Sequence, residues 1–126
     1  MAKYVDGFII VAPKKNAALY KKMATLGKKV WMKHGALDYK ECKGDDLKPN
    51  MGGMPARTFI KLAGAKPTED VWFSFIVFKN KAHRDRVNAK VMKDPEMNDP
   101  QWGDKNKMPF DMKKFSYGGF TVEVYK

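Results

Sequence analysis

The segment that most constrains the fold is Asp70–Lys79, DVWFSFIVFK, which is rich in aromatic and β-branched residues. That composition is typical of a β-strand. Side chains alternate between the two faces of a strand, and here both faces are apolar, so both sides of the sheet must be covered. One face is predicted to carry Val71, Phe73, Phe75 and Val77, and the other Trp72, Ser74, Ile76 and Phe78.

The remaining regular elements follow from periodicity and from their end signals. A helix is indicated where apolar residues recur every three or four positions, and Gly35 supplies a stop for the first of them. Asn80 is a suitable N-cap for the second helix. The predicted elements are strands at Tyr4–Ala12, Ala36–Lys43, Asp70–Lys79 and Phe115–Tyr125 and helices at Lys14–His34 and Lys81–Lys93.

This order, β-α-β-loop-β-α-β, predicts an α+β fold with the ferredoxin-like split βαβ arrangement and an antiparallel sheet. With 126 residues the chain is predicted to form a single domain over positions 1–126. Gly44–Thr68 is mostly loop, although Arg57–Ala63 fits either a short strand or a helical turn. Glu96–Lys114 is long for a connection and is predicted to be a lid or a wrapping arm. Gly118–Gly119 indicates a bulge or a close backbone approach.

The apolar character of the sheet predicts a homodimer. Two helices cover one face of a four-stranded sheet, and the other face would then be left apolar and exposed. A second copy of the chain is the simplest cover, because two-fold homodimers are the commonest soluble oligomers. The expected assembly is the dimeric α+β barrel. The alternative is a monomer in which the segments 44–68 and 96–114 fold back over the sheet.

The charge permits a polyanion partner but does not favour one. The net charge is +11, from 22 lysines and only three arginines. Arginine is the usual reader of guanine edges and phosphate pairs, so nucleic acid is an unlikely partner. The alternative function is nevertheless a nucleic-acid or polyanion binder that uses the lysine face of the first helix. That face is formed by Lys14, Lys15, Lys21, Lys22, Lys28 and Lys29.

Location is predicted from cysteine usage and hydropathy. The single cysteine, Cys42, cannot form an internal disulfide, which fits a reducing cytoplasm. The longest nearly apolar run, Val71–Phe78, is far shorter than the roughly 20 residues that span a bilayer. We expect no signal peptide, because Met1–Lys3 leads directly into the first strand. The predicted location is the cytoplasm, without membrane contact.

No established catalytic or metal-binding motif is present, so neither a metal nor a cofactor is predicted and the catalytic residues are unknown. Four residues are candidates for binding a ligand. Asp6 interrupts an apolar strand, and Glu41 is a second carboxylate that could pair with it. His34 ends the first helix, and Tyr117 adjoins two glycines. Each also has a structural interpretation: an anchoring carboxylate, a helix-terminal cation or a packing tyrosine. Arg84 is expected to pair at the surface.

Several segments together resemble a known family. They are Tyr4–Phe8, His34–Leu37, Glu41–Cys42, Phe73–Ile76, Ala82–Asp85, Val87–Met92, Asp94–Pro95, Met97, Met108–Asp111 and Tyr117–Phe120. In this combination the chain resembles the YbaA-like family, bacterial proteins known as a domain of unknown function. The resemblance covers nearly the whole chain and implies the dimeric α+β barrel, but no activity.

The sequence therefore leaves three functional hypotheses. The first is an uncharacterised cytoplasmic homodimer that binds or converts a small organic ligand in an apolar cleft between sheet and helices. The second is the polyanion binder described above. The third is a non-catalytic assembly protein whose surface is its function. The sequence does not decide whether the protein is an enzyme.

Overall fold

The two strands that are apolar on both faces occupy the centre of the sheet. The computed structural model describes residues 3–98 and 108–126. Its four strands are all antiparallel to their neighbours and lie in the order β2-β3-β1-β4. They are β1 (Tyr4–Pro13), β2 (Asp38–Lys43), β3 (Glu69–Phe78) and β4 (Ser116–Thr121).

The described helices are α1 (Ala17–Lys33), the short α2 (Phe59–Ala63) and α3 (Lys81–Lys93). The predicted first helix begins later than expected, because Lys14–Asn16 form a 3-10 turn. Its end is confirmed: α1 stops at Lys33, and Gly35 has φ of +110°. For α3, the side chain of Asn80 accepts a hydrogen bond from the backbone N–H of His83, as an N-cap does.

The sheet has one face beneath α1 and α3 and one open face. Tyr4, Ile76 and Phe78 are buried against Val30 of α1 and Val87 of α3. A second buried cluster lies toward the other end of the sheet, where Ile10 and Trp72 pack against residues of α1. This apolar packing explains why α1 and α3 lie on the same side of the sheet.

The open face is apolar, as the strand pattern predicts. It carries Val5, Ile9, Phe73 and Phe120, and Phe73 and Phe120 are 45% and 61% exposed. The segment Arg57–Ala63, which fitted either a short strand or a helical turn, contains the helix α2. Phe59 of this helix contacts the ring of Phe73. Part of segment 44–68 therefore does fold over the sheet, but it covers Phe73 only in part and leaves Phe120 largely exposed.

The last strand is shorter than predicted and contains no bulge. It ends at Thr121, and Gly118 and Gly119 pair in unbroken register with Gly7 and Asp6. The close approach is confirmed: a Cβ at Gly119 would lie 2.8 Å from two carbons of the Tyr4 ring. Of the predicted lid Glu96–Lys114, positions 99–107 lie outside the described residues. Among the helices that are described, none is long and apolar enough to cross a membrane.

Candidate functional site

The structure places the four candidate residues in three separate locations. Asp6 and Tyr117 are together, His34 is at the end of α1, and Glu41 is on β2. The structure does not pair Asp6 with Glu41, an arrangement that the sequence left open. Their strands, β1 and β2, are separated by β3, and each carboxylate has its own hydrogen-bond partners.

The Asp6 carboxylate is fully buried and is held by a cation from α3. Its side chain is 1% exposed, and Arg84 Nη1 lies 2.7 Å from Asp6 Oδ1. The Tyr117 hydroxyl donates to Asp6 Oδ2 at 3.1 Å, and burial together with the Asp6 charge raises the pKa of this tyrosine. The surface pairing predicted for Arg84 is present, since its Nε lies 2.7 Å from Oδ1 of the exposed Asp85, but the same side chain also compensates the buried Asp6. A buried, paired carboxylate of this kind is a structural anchor between sheet and helix.

His34 belongs to a second ionic cluster. Its Nε2 lies 2.7 Å from Oδ2 of the buried Asp94, and Lys33 Nζ lies 2.9 Å from the same oxygen. The hydrogen bonds from Lys33 and His34 depress the pKa of the Asp94 carboxyl well below its usual range. This cluster joins the end of α1 to the segment that follows α3, and it matches the expected position of a cation at a helix C-terminus.

Glu41 differs from the other candidates because it borders the cavity between α1 and the covered face of the sheet. The Tyr20 hydroxyl donates to Glu41 Oε1 at 2.6 Å, and the Tyr39 hydroxyl donates to Oε2 at 3.3 Å. Ser74 lies directly opposite on β3. Burial raises the pKa of Glu41, and the hydrogen bond from Tyr20 opposes this rise without cancelling it. Burial and the adjacent Glu41 also raise the pKa of both tyrosines, so they remain neutral donors.

The cavity lies between α1 and the covered face of the sheet and has a volume of about 200 Å³. The polar groups that line it, from Tyr20, Tyr39, Glu41 and Ser74, lie together on strands β2 and β3 and the facing turn of α1. Its apolar lining includes Phe8, Met23, Trp31, Ile76, Phe110 and Phe115. An apolar pocket with a few converging polar groups is typical of a small-molecule site. A carboxyl group with a raised pKa could also exchange a proton with a bound molecule.

Comparison with known proteins identifies the family of this chain. A family model described as "Protein of unknown function (DUF1428)" matches residues 3–112. The chain belongs to the DUF1428 family. It is similar to the "Uncharacterized protein YbaA" of Escherichia coli (strain K12), with 37% identity over 118 residues, 94% of each chain. The protein of the same description from Shigella flexneri gives the same values. The predicted resemblance to the YbaA-like family is confirmed.

Among solved structures, one described as "De novo designed protein Foldit4" has a TM-score of 0.42 and 9% identity to the DUF1428 chain. It covers 99% of this chain and 100% of its own. This likeness is too weak to support any argument about the fold. The family match includes Asp6, His34 and Glu41 and ends before Tyr117.

Sequence reasoning missed several residues of the DUF1428 chain that complete these clusters. Arg84, Asp94 and Tyr20 are the closest partners of Asp6, His34 and Glu41 respectively. Asp94 and Arg84 lie on or next to α3, far along the chain from the residues they contact. Tyr20 could have been found from the sequence, because it lies on the apolar side of α1 and a buried tyrosine hydroxyl needs a hydrogen-bond partner. No such signal distinguishes Arg84 from the exposed Arg86 two positions later.

Proposed function

We propose that the protein is a homodimeric barrel that binds a small organic molecule in the cavity beneath α1. The observation that carries this proposal is the cavity itself, which combines an apolar lining with the Glu41 carboxylate and its two tyrosine donors. A protein that bound no ligand would be more stable if its own side chains filled this space, because protein interiors are close-packed. For conversion of the bound molecule, Glu41 is the cavity group best suited to transfer a proton, because burial raises its pKa.

The finer architecture belongs to the same proposal. We infer the ferredoxin-like arrangement from the strand order β2-β3-β1-β4 with both long helices on one face. Two copies would then pair through their open faces to form the dimeric α+β barrel. The exposed Phe73 and Phe120 support this pairing, as does the hollow of about 340 Å³ between them. The single Cys42 supports a cytoplasmic location.

The polyanion hypothesis receives less support from the geometry. Two lysines near the end of α1 are engaged by acidic residues: Lys29 with Glu96, and Lys33 with Asp94. Lys14 pairs with Asp70 on β3. Part of the positive charge on this side of the molecule is therefore neutralised internally. A continuous run of free lysines would be the better arrangement for tracking a phosphate backbone.

The cavity is tested by titrating labelled protein with a panel of one- and two-ring aromatic alcohols, amides and carboxylic acids. The reporter is the indole N–H signal of Trp31, which lines the cavity and donates to Asn88. We expect a saturable shift with at least one compound. Met23→Trp should fill the cavity and abolish the ligand-induced shift. Met32→Trp, at an exposed position of the same helix, should leave the shift unchanged. Failure of every compound, or unchanged binding by M23W, would overturn the proposal.

A further inference from the structure

A second depression adjoins the cavity, and its lining includes three lysines. This groove, of about 480 Å³, runs between α1 and the edge strand β2 and shares Ala24, Tyr39 and Glu41 with the cavity. Its long side chains are Lys21 and Lys28 of α1 and Lys43 of β2. Within the described ranges, 3–98 and 108–126, none of these three lysines forms an ion pair.

An independent observation at the same groove also requires an acceptor. Trp72 lines the groove and is 6% exposed, and its indole Nε1 is buried without a hydrogen-bond partner. An indole N–H can only donate, and burying such a donor unpaired costs free energy. An ammonium group likewise can only donate. The groove therefore has three ammonium groups that form no ion pair among the described residues, and one of its lining side chains carries a buried indole N–H without an acceptor there.

The one acidic side chain among the described residues of the groove is Glu41. Its two oxygens already accept hydrogen bonds from Tyr20 and Tyr39, so they are poorly placed to receive the lysines. The groove thus combines three free ammonium groups with a single, already hydrogen-bonded carboxylate. A ligand group that satisfies this arrangement is an acceptor with negative charge.

We propose that the ligand is a small organic acid whose apolar body fills the cavity and whose anionic head lies in the groove among Lys21, Lys28 and Lys43. This proposal rests on the proposed function, because it assigns the chemical class of the molecule bound there. The two depressions are adjacent, since Ala24, Tyr39 and Glu41 line both of them, and the proposal places one molecule across the two. The apolar lining excludes a purely polar anion such as inorganic phosphate as the preferred ligand.

The test compares two probes that differ in charge, 2-naphthoate and 2-naphthamide, with the full-length protein. We expect the acid to bind at least about tenfold more tightly than the amide, as an anion among several cations should. Lys21→Gln, Lys28→Gln and Lys43→Gln together should remove that preference and leave the amide unaffected. The matched control neutralises Lys22, Lys90 and Lys93, which are exposed and outside the groove.

The outcomes separate this inference from the proposed function. Equal binding of acid and amide, with loss of both in M23W, would overturn the organic-acid inference and leave the cavity site standing. Binding of neither probe would overturn the organic-acid inference, whereas the proposed function is overturned only if every compound of the panel also fails to bind. A control variant that loses the acid preference as fully as the groove variant would show a general charge effect, and it too would contradict the inference. Raising the salt concentration should weaken only the binding of the acid, because salt screens exposed charges.

Discussion

At the scale of single residues, the chemistry of the covered face is set by how each buried charge is compensated. Asp6 has an arginine, and Asp94 has a lysine and a histidine. Glu41 has no cation within ion-pair distance among the described residues and is held by hydroxyl donors instead. A carboxylate without a cation in a partly buried site favours its neutral form, which is why Glu41 is the one suited to proton transfer.

The raised pKa of Glu41 predicts a specific dependence of stability on pH. Burial raises the pKa of Glu41 above its ordinary value of 4.5, so the folded state keeps this proton to a higher pH than the unfolded chain does. Its stabilising contribution is therefore complete below pH 4.5 and is lost as the pH rises through the folded-state pKa. Glu41→Gln cannot lose this proton, so its stability relative to wild type should increase as the pH rises. Thermal unfolding of both proteins from pH 4 upward measures this. A constant difference across the series would contradict the assignment.

The Asp6–Arg84 pair predicts a large effect from a position that appears ordinary in the sequence. Arg84→Met leaves the Asp6 carboxylate buried without its cation, and we expect the free energy of unfolding to fall by about 3–5 kcal/mol. Arg86→Met is the matched control, because Arg86 is exposed on the same helix. Adding Asp6→Asn to the Arg84 variant should recover part of the loss. Chemical denaturation at one protein concentration measures all four proteins, and equal stability of the two arginine variants would contradict the pairing.

These residues show where sequence reasoning ends. A carboxylate inside an apolar strand had to be compensated, so the burial of Asp6 was predictable. The identity of its partner was not, because Arg84 is 78 positions away and the pairing depends on how α3 packs against the sheet. The same holds for Glu41, whose position on β2 was predicted but whose cavity is formed by residues from several other elements.

At the scale of elements, local signals determined boundaries well wherever a cap or a glycine was present. Asn80 and Gly35 mark the start of α3 and the end of α1 as predicted. The start of α1 was missed, since Lys14–Asn16 form a 3-10 turn after Pro13 and carry no side-chain cap. The periodicity of Arg57–Ala63 did not distinguish a strand from a helical turn. Its helix α2 is short, and its two ends are set by the Thr58 N-cap and by Gly64.

The pairing of β4 with β1 depends on the missing side chain at Gly119. A Cβ there would collide with the Tyr4 ring, whereas at Gly118 the nearest side-chain atom is 3.6 Å away. We therefore expect Gly119→Ala to destabilise the protein by about 1–3 kcal/mol through overpacking. Gly118→Ala, the adjacent control in the same strand, should lie near wild type. Urea denaturation of the two variants compares them, and equal midpoints would show that Tyr4 moves aside without cost.

At the scale of the whole molecule, the two faces of one sheet serve different purposes in this account. The face beneath α1 and α3 contains the core and the cavity that we propose as the ligand site. The open face carries exposed aromatic side chains that α2 covers only in part. The apolar character of both faces was predictable from the pattern of Val71–Phe78. The position of α2 on the open face was not, because no periodicity indicated that this segment was helical.

We propose that the open face pairs with a second copy of the chain, and sedimentation velocity over a range of concentrations tests this pairing. Wild type should sediment as a dimer. Phe120→Glu, which places a charge on the exposed aromatic of β4, should sediment as a folded monomer. Met92→Glu, at a position of α3 that is 60% exposed, should remain a dimer. A wild-type protein that is monomeric at every concentration, or a Phe120 variant that dimerises like wild type, would contradict the account.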